Sequence, residues 1–124
     1  MKKILIVDDD HNLSDLTRSV LVRGGYEVLV SHDSSIGINI AKKQKPDLIL
    51  MDIMLPGMNG AEVVKVLKSE PVLRDIPVLF LTALLSDADK YNTEGIQVDG
   101  KHYTAIAKPY EIKDLLEKVK RILG

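Results

Sequence analysis

A chain of 124 residues, 45% hydrophobic and 28% charged, carries enough apolar material for one buried core and reads as a single globular domain. The absence of cysteine excludes disulfides, zinc–thiolate centres and cysteine nucleophiles together. Seventeen basic side chains against eighteen acidic ones leave a net charge of −1, without the clustered positive field that nucleic-acid binding needs, and no apolar run nears the ~20 residues of a membrane span.

Met1-Lys2-Lys3 followed by Ile4–Val7 has the outline of a secretion signal, but four apolar residues running into Asp8-Asp9-Asp10 are too few for its hydrophobic segment. Ile4–Val7 therefore reads as a first strand, and a cytoplasmic location is expected. Asn12 is positioned to cap a helix with Leu13, Leu16, Val20 and Leu21 on one face, ended by Gly24-Gly25. Tyr26–Val30 is a second apolar run. After it, Asp33 or Ser34 can cap a helix with Ile36, Ile40 and Ala41, which stops before Pro46. Leu48–Met51 is a third run, and Asn59-Gly60 opens a helix with Val63, Val64 and Leu67. Val78–Leu81 is the fourth. Beyond it, Ser86–Glu94 reads as a short polar helix, Gly95–His102 as loop, and Tyr103–Ala107 as a fifth strand. Ile112, Leu115, Leu116, Val119, Ile122 and Leu123 keep helical spacing to the end.

Continuous aliphatic runs of four or five residues suit strands covered on both sides, as in a parallel sheet. Five strand–helix units imply an α/β fold, a doubly wound five-stranded parallel sheet with helices on both faces. In such folds ligands bind outside the carboxyl ends of the strands. The residues that follow those ends here are Asp8-Asp9-Asp10, Asp52, Thr82 and Lys108. Converging carboxylates repel one another and call for a cation. With no cysteine and only His11, His32 and His102 as nitrogen ligands, an all-oxygen site selects Mg²⁺, or Mn²⁺. A carboxylate beside such a cation and a lysine suits phosphoryl transfer, with the acid as nucleophile.

The stretches Lys3–Asp10 (KILIVDDD), Pro46–Gly60 (PDLILMDIMLPGMNG), Ile76–Leu84 (IPVLFLTAL) and Lys108-Pro109 resemble the receiver domain of two-component response regulators. The resemblance covers essentially residues 1–124, with no effector domain in this chain. It implies a flavodoxin-like sheet in the order 2-1-3-4-5, with Asp52 as the phosphoacceptor. It also implies direct metal ligation by Asp9, Asp52 and the Met54 backbone carbonyl, with Asp8 acting mainly through a coordinated water. Lys108 is implied to pair with the phosphoryl group or with Asp52, Thr82 to hydrogen-bond the phosphoryl group, and Pro109 to follow a cis bond. The implied partners are a sensor histidine kinase or phosphotransfer protein and an unspecified downstream protein, with no direct nucleic-acid contact and no membrane insertion. Such a chain is a signalling module, not a metabolic enzyme.

Two departures stand out. The family's switch aromatic, three residues before the lysine, is Ala105 here, with Tyr103 five before, and the Thr82–Lys108 interval exceeds the family's usual length. Met54 and Leu84 occupy the positions that tune phosphate loss in the family; both are apolar and cannot position water, which implies slow dephosphorylation. Two competing readings are a receiver-like interaction module that is never phosphorylated, and a phosphatase using Asp8 as nucleophile. The second lacks a further acidic pair after Lys108.

Overall fold

Each of the aliphatic runs forms a strand in a computed structural model that describes residues 1–52, 60–71, 73–82, 96–98, 101–107 and 110–123. In chain order the elements are β1 (Lys3–Val7), α1 (His11–Arg23), β2 (Glu27–Ser31), α2 (Ser34–Gln44), β3 (Leu48–Asp52), α3 (Gly60–Ser69) and β4 (Val78–Thr82). They are followed by β5 (Ile96–Val98), β6 (Lys101–Tyr103), β7 (Ala105–Ala107) and a last helix, α4 (Ile112–Leu123). The main sheet has the order β2-β1-β3-β4-β7, and every pairing in it is parallel. Counted within this sheet alone, that is 2-1-3-4-5.

The three inner strands divide their side chains strictly between two cores, as the period of two requires. Leu5, Val7, Ile49, Met51, Val78 and Phe80 meet Ile38 and Ala41 of α2 and Val63, Val64 and Leu67 of α3. Ile4, Ile6, Leu48, Leu50, Leu79 and Leu81 meet Leu21 of α1 and Leu115 and Val119 of α4. Helices α2 and α3 thus cover one face, and α1 and α4 the other. No helix among the described residues is long and apolar enough to cross a membrane.

Helix boundaries follow local chemistry. Asp10, not Asn12, caps α1: its backbone is extended and its side chain accepts from the Leu13 amide at 3.0 Å. Asn12 already lies within the first turn, too late to reach an unpaired amide. The helix ends at Gly24-Gly25, where Gly25 takes φ +96°, a conformation that strains any residue with a Cβ. Asp33 caps α2 through the Ile36 amide at 3.1 Å, and Lys45 ends it in the left-handed region at φ 47°.

The buried stripe of α1 differs from expectation. Ser14, Thr17 and Leu21 face inward, whereas Leu16 is 53% exposed. The 3-then-4 spacing holds, but two small hydroxyl residues occupy it. Ser14 Oγ donates back to the Asp10 and His11 carbonyls, so its burial leaves no polar atom unsatisfied. On α2 the inward residues are Ser34, Gly37, Ile38 and Ala41, with Ile36 exposed.

Past β4, two expectations are corrected. The stretch 95–102 is not all loop: Ile96–Val98 and Lys101–Tyr103 pair antiparallel as a small second sheet. The fifth strand of the main sheet is Ala105–Ala107 alone, because Tyr103 is engaged with Ile96 in that hairpin. Ala105 pairs with Phe80 and sits half-buried against the α2/α3 core. The expected helix at Ser86–Glu94 lies outside the described residues.

Candidate acidic site at the sheet's carboxyl rim

Register brings the carboxyl ends of the inner strands to one level. Val7 pairs with Met51, so the residues that follow, Asp8 and Asp52, stand side by side where β1 and β3 finish. Asp52 pairs in turn with Leu81, and Thr82, the last residue of β4, pairs with Ala107, the residue before Lys108. Parallel pairing in this register therefore brings the carboxyl ends of β1, β3 and β4 to one edge.

At that edge one carboxylate oxygen from each of Asp8, Asp9 and Asp52 lies within 4.8 Å of the others. Asp8 and Asp52 are 1% and 6% exposed, whereas Asp9 is open to solvent. The short β1–α1 connection is held from within: the Asp8 amide donates to the Ser31 carbonyl at 3.0 Å, and Asp8 Oδ1 accepts from the Asp10 amide at 2.9 Å. Because Asp10 also caps α1, a single three-residue turn aims Asp8 and Asp9 and starts the helix.

The donor set consists of oxygen alone. Three carboxylates this close repel strongly unless a cation lies among them, and hard divalent ions prefer such ligands. The residues present therefore fit a divalent metal. Of the expected site residues, Asp8, Asp9 and Asp52 come together. Thr82 is placed by its backbone at the end of β4. Met54, Leu84, Lys108 and Pro109 lie outside the described residues, as does Asn59.

The rim also holds contacts that sequence reasoning missed. His32 Nδ1 lies 2.8 Å from the Asp8 carbonyl oxygen, which only accepts, so Nδ1 carries the proton. The His32 ring stacks on His11, with centroids 3.6 Å apart and planes 22° apart. The pair joins the β2–α2 connection to the start of α1 beside the acids. The available signal was positional: His32 follows a strand end, as Asp8 does. Across the α1/α4 core, Thr17 Oγ1 and the Tyr110 hydroxyl are 2.9 Å apart, which links α1 to the residues just before α4.

Comparison with known proteins agrees with this fold and rim. The response regulator receiver domain profile matches residues 4–120. The phosphate regulon transcriptional regulatory protein PhoB of Klebsiella pneumoniae is 34% identical over 122 residues, which are 98% of this chain and 52% of that protein. The polar-differentiation response regulator DivK of Brucella anthropi is 36% identical over 123 residues, covering 99% of this chain and 97% of that one. The chain spans about half the length of the first of these relatives and nearly all of the second. Among solved structures, a CheY-like receiver domain protein from Methanospirillum hungatei superposes with a TM-score of 0.81 at 31% identity, covering 99% of this chain and 94% of that chain. The chemotaxis protein CheY4 of Vibrio cholerae gives a TM-score of 0.82 at 28% identity, over 98% of each chain. A five-stranded parallel sheet with an acidic triad at its carboxyl rim, matched along nearly its whole length, places the chain in the response regulator receiver domain family of two-component systems.

Proposed function

We propose that this chain is a phosphoacceptor module in which Asp52 takes a phosphoryl group from the phosphohistidine of a sensor kinase or phosphotransfer protein. The observation that carries this reading is the meeting of Asp8, Asp9 and Asp52 within 4.8 Å at the rim, with Asp52 nearly buried at the end of β3. An Asp52 carboxylate oxygen attacks phosphorus; the O–P bond of an acyl phosphate forms as the P–N bond to the donor imidazole breaks, its electron pair returning to nitrogen. Asp9, Asp52 and the Met54 carbonyl would hold Mg²⁺ directly and Asp8 would hold it through water; the bound cation supplies positive charge against the phosphoryl oxygens. Lys108 pairs with those oxygens, and Thr82 hydrogen-bonds them once the group is attached. The phosphorylated state then alters a face that binds a downstream protein. Residues 1–124 serve as the receiver unit, without nucleic-acid contacts of their own.

Intact-mass measurement after incubation with Mg²⁺ and acetyl phosphate tests the assignment. One added phosphoryl group is expected, absent in Asp52→Asn and in EDTA. No addition from acetyl phosphate, phosphoramidate or a panel of phosphorylated kinases would overturn it in favour of an interaction module that is never phosphorylated.

A further inference from the structure

The Asp8 carbonyl stands where the β1–β2 ladder gives out. Paired positions run to Val7 and Ser31, and one further rung follows, from the Asp8 amide to the Ser31 carbonyl at 3.0 Å. In a regular parallel ladder the Asp8 carbonyl would next accept from the amide of Asp33. That amide instead turns to Ser31 Oγ at 3.3 Å, while the Asp33 side chain caps α2. A side chain supplies the donor in its place: His32 Nδ1 lies 2.8 Å from the Asp8 carbonyl oxygen. The other ring of the stack, His11, is the first residue of α1 and backs the His32 ring at a centroid distance of 3.6 Å. The turn that carries Asp8 and Asp9 is therefore spanned by two imidazoles, one bonded to its start and one seated at its end.

We infer that His32 is a positioning residue for the divalent cation, its Nδ1–H fixing the peptide plane that joins Asp8 to Asp9. The inference rests on the reading of the rim as a metal site and adds to it a residue that supplies no ligand. A peptide unit is planar, so a hydrogen bond to the Asp8 carbonyl also orients the amide and Cα of Asp9. Burial holds Asp8 and Asp52 in place, whereas Asp9 is exposed and depends more on the direction its backbone gives it. A ligand aimed before the ion arrives loses less conformational freedom when it binds. Hydrogen bonds standing behind the ligating groups tune metal affinity in this way.

The test compares Mg²⁺ binding by isothermal titration calorimetry in the wild type, His32→Phe and His32→Asn, with urea unfolding of each in EDTA. Phenylalanine keeps a ring against His11 without a donor. Asparagine carries its amide nitrogen at the same place along the side chain as Nδ1 and keeps the donor without the ring. Mg²⁺ affinity is expected to fall about three- to tenfold in His32→Phe, the worth of one hydrogen bond, and to return to within about twofold of the wild type in His32→Asn. Unchanged affinity in His32→Phe, whatever its stability in urea, would show a bond that serves folding alone and overturn the inference. Equal weakening in His32→Asn would overturn it as well, since the ring and not the donor would then be responsible. A wild type that takes up no Mg²⁺ is a different failure: the metal reading falls first, and the inference falls with it.

Discussion

Replacing Asp9 by asparagine should make the metal-free protein more stable, although it removes a proposed ligand. Asp9 contributes two of the three carboxylate pairs at the rim. At 4.8 Å each pair costs about 3.5 kcal/mol for an effective dielectric of 20 and about 0.9 kcal/mol in bulk water. Asp9 is solvent-exposed, which places its pairs near the lower limit, and physiological salt with a Debye length of about 8 Å reduces them further. Relief of two such pairs then comes to about 1–2 kcal/mol, a gain of roughly 3–8 °C in melting temperature for a domain of this size. Urea unfolding in EDTA should show Asp9→Asn ahead of wild type, with the gap narrowing as NaCl is raised. Adding Mg²⁺ at ten times its Kd should stabilise the wild type by about 1.4 kcal/mol and the variant by less, so the order closes or reverses. A variant less stable than wild type in EDTA, or one that gains as much from Mg²⁺, would refute the electrostatic account of the rim.

Leu50→Ala, at a fully buried position in the central strand, should cost about 2–5 kcal/mol in urea unfolding, and a loss below about 1 kcal/mol would contradict the packing described for the α1/α4 core. Lys45→Gly should raise stability by up to about 1 kcal/mol, because Lys45 holds φ 47° at the end of α2; a fall would show that its side chain matters more than its strained backbone. The purified phosphoprotein should lose its phosphate over minutes or longer, since Met54 and Leu84 cannot orient water; ³²P release within a few seconds would refute that expectation.

The sheet and its acids were legible because strands buried on both faces advertise themselves as unbroken aliphatic runs, and because parallel strands present their next residues at one edge. That rule drew Asp8-Asp9-Asp10 and Asp52 to one edge, and the family resemblance singled out Asp8, Asp9 and Asp52 among them. The helices were legible in position but less so in facing. On α1 the hydrophobic spacing pointed to Leu13, Leu16, Val20 and Leu21; Leu21 is buried, yet the chain turns Ser14 and Thr17 inward beside it, because hydroxyls that satisfy one another or the backbone pack in a core as small residues do. The same blindness hid Gly37, which faces Val7 so closely that an added Cβ would lie 3.0 Å from Val7 Cγ2. The β5–β6 hairpin did carry a signal. Asp99-Gly100 separates Ile96–Val98 from Lys101–Tyr103, and Asp-Gly between two short runs favours a two-residue reversal.

The strict division of β1, β3 and β4 between two cores bears on where the chain can change length. One residue inserted within any of these strands would transpose every later side chain to the opposite compartment, sending Leu50 among the partners of Met51 and carrying Asp52 away from Asp8. The inner strands are in this sense written in a fixed reading frame. Between Thr82 and Ala105 the chain leaves the main sheet and returns, so residues can be added there without disturbing either frame, provided that Ala105 still meets Phe80. Within that interval Ile96–Val98 and Lys101–Tyr103 form a small sheet of their own.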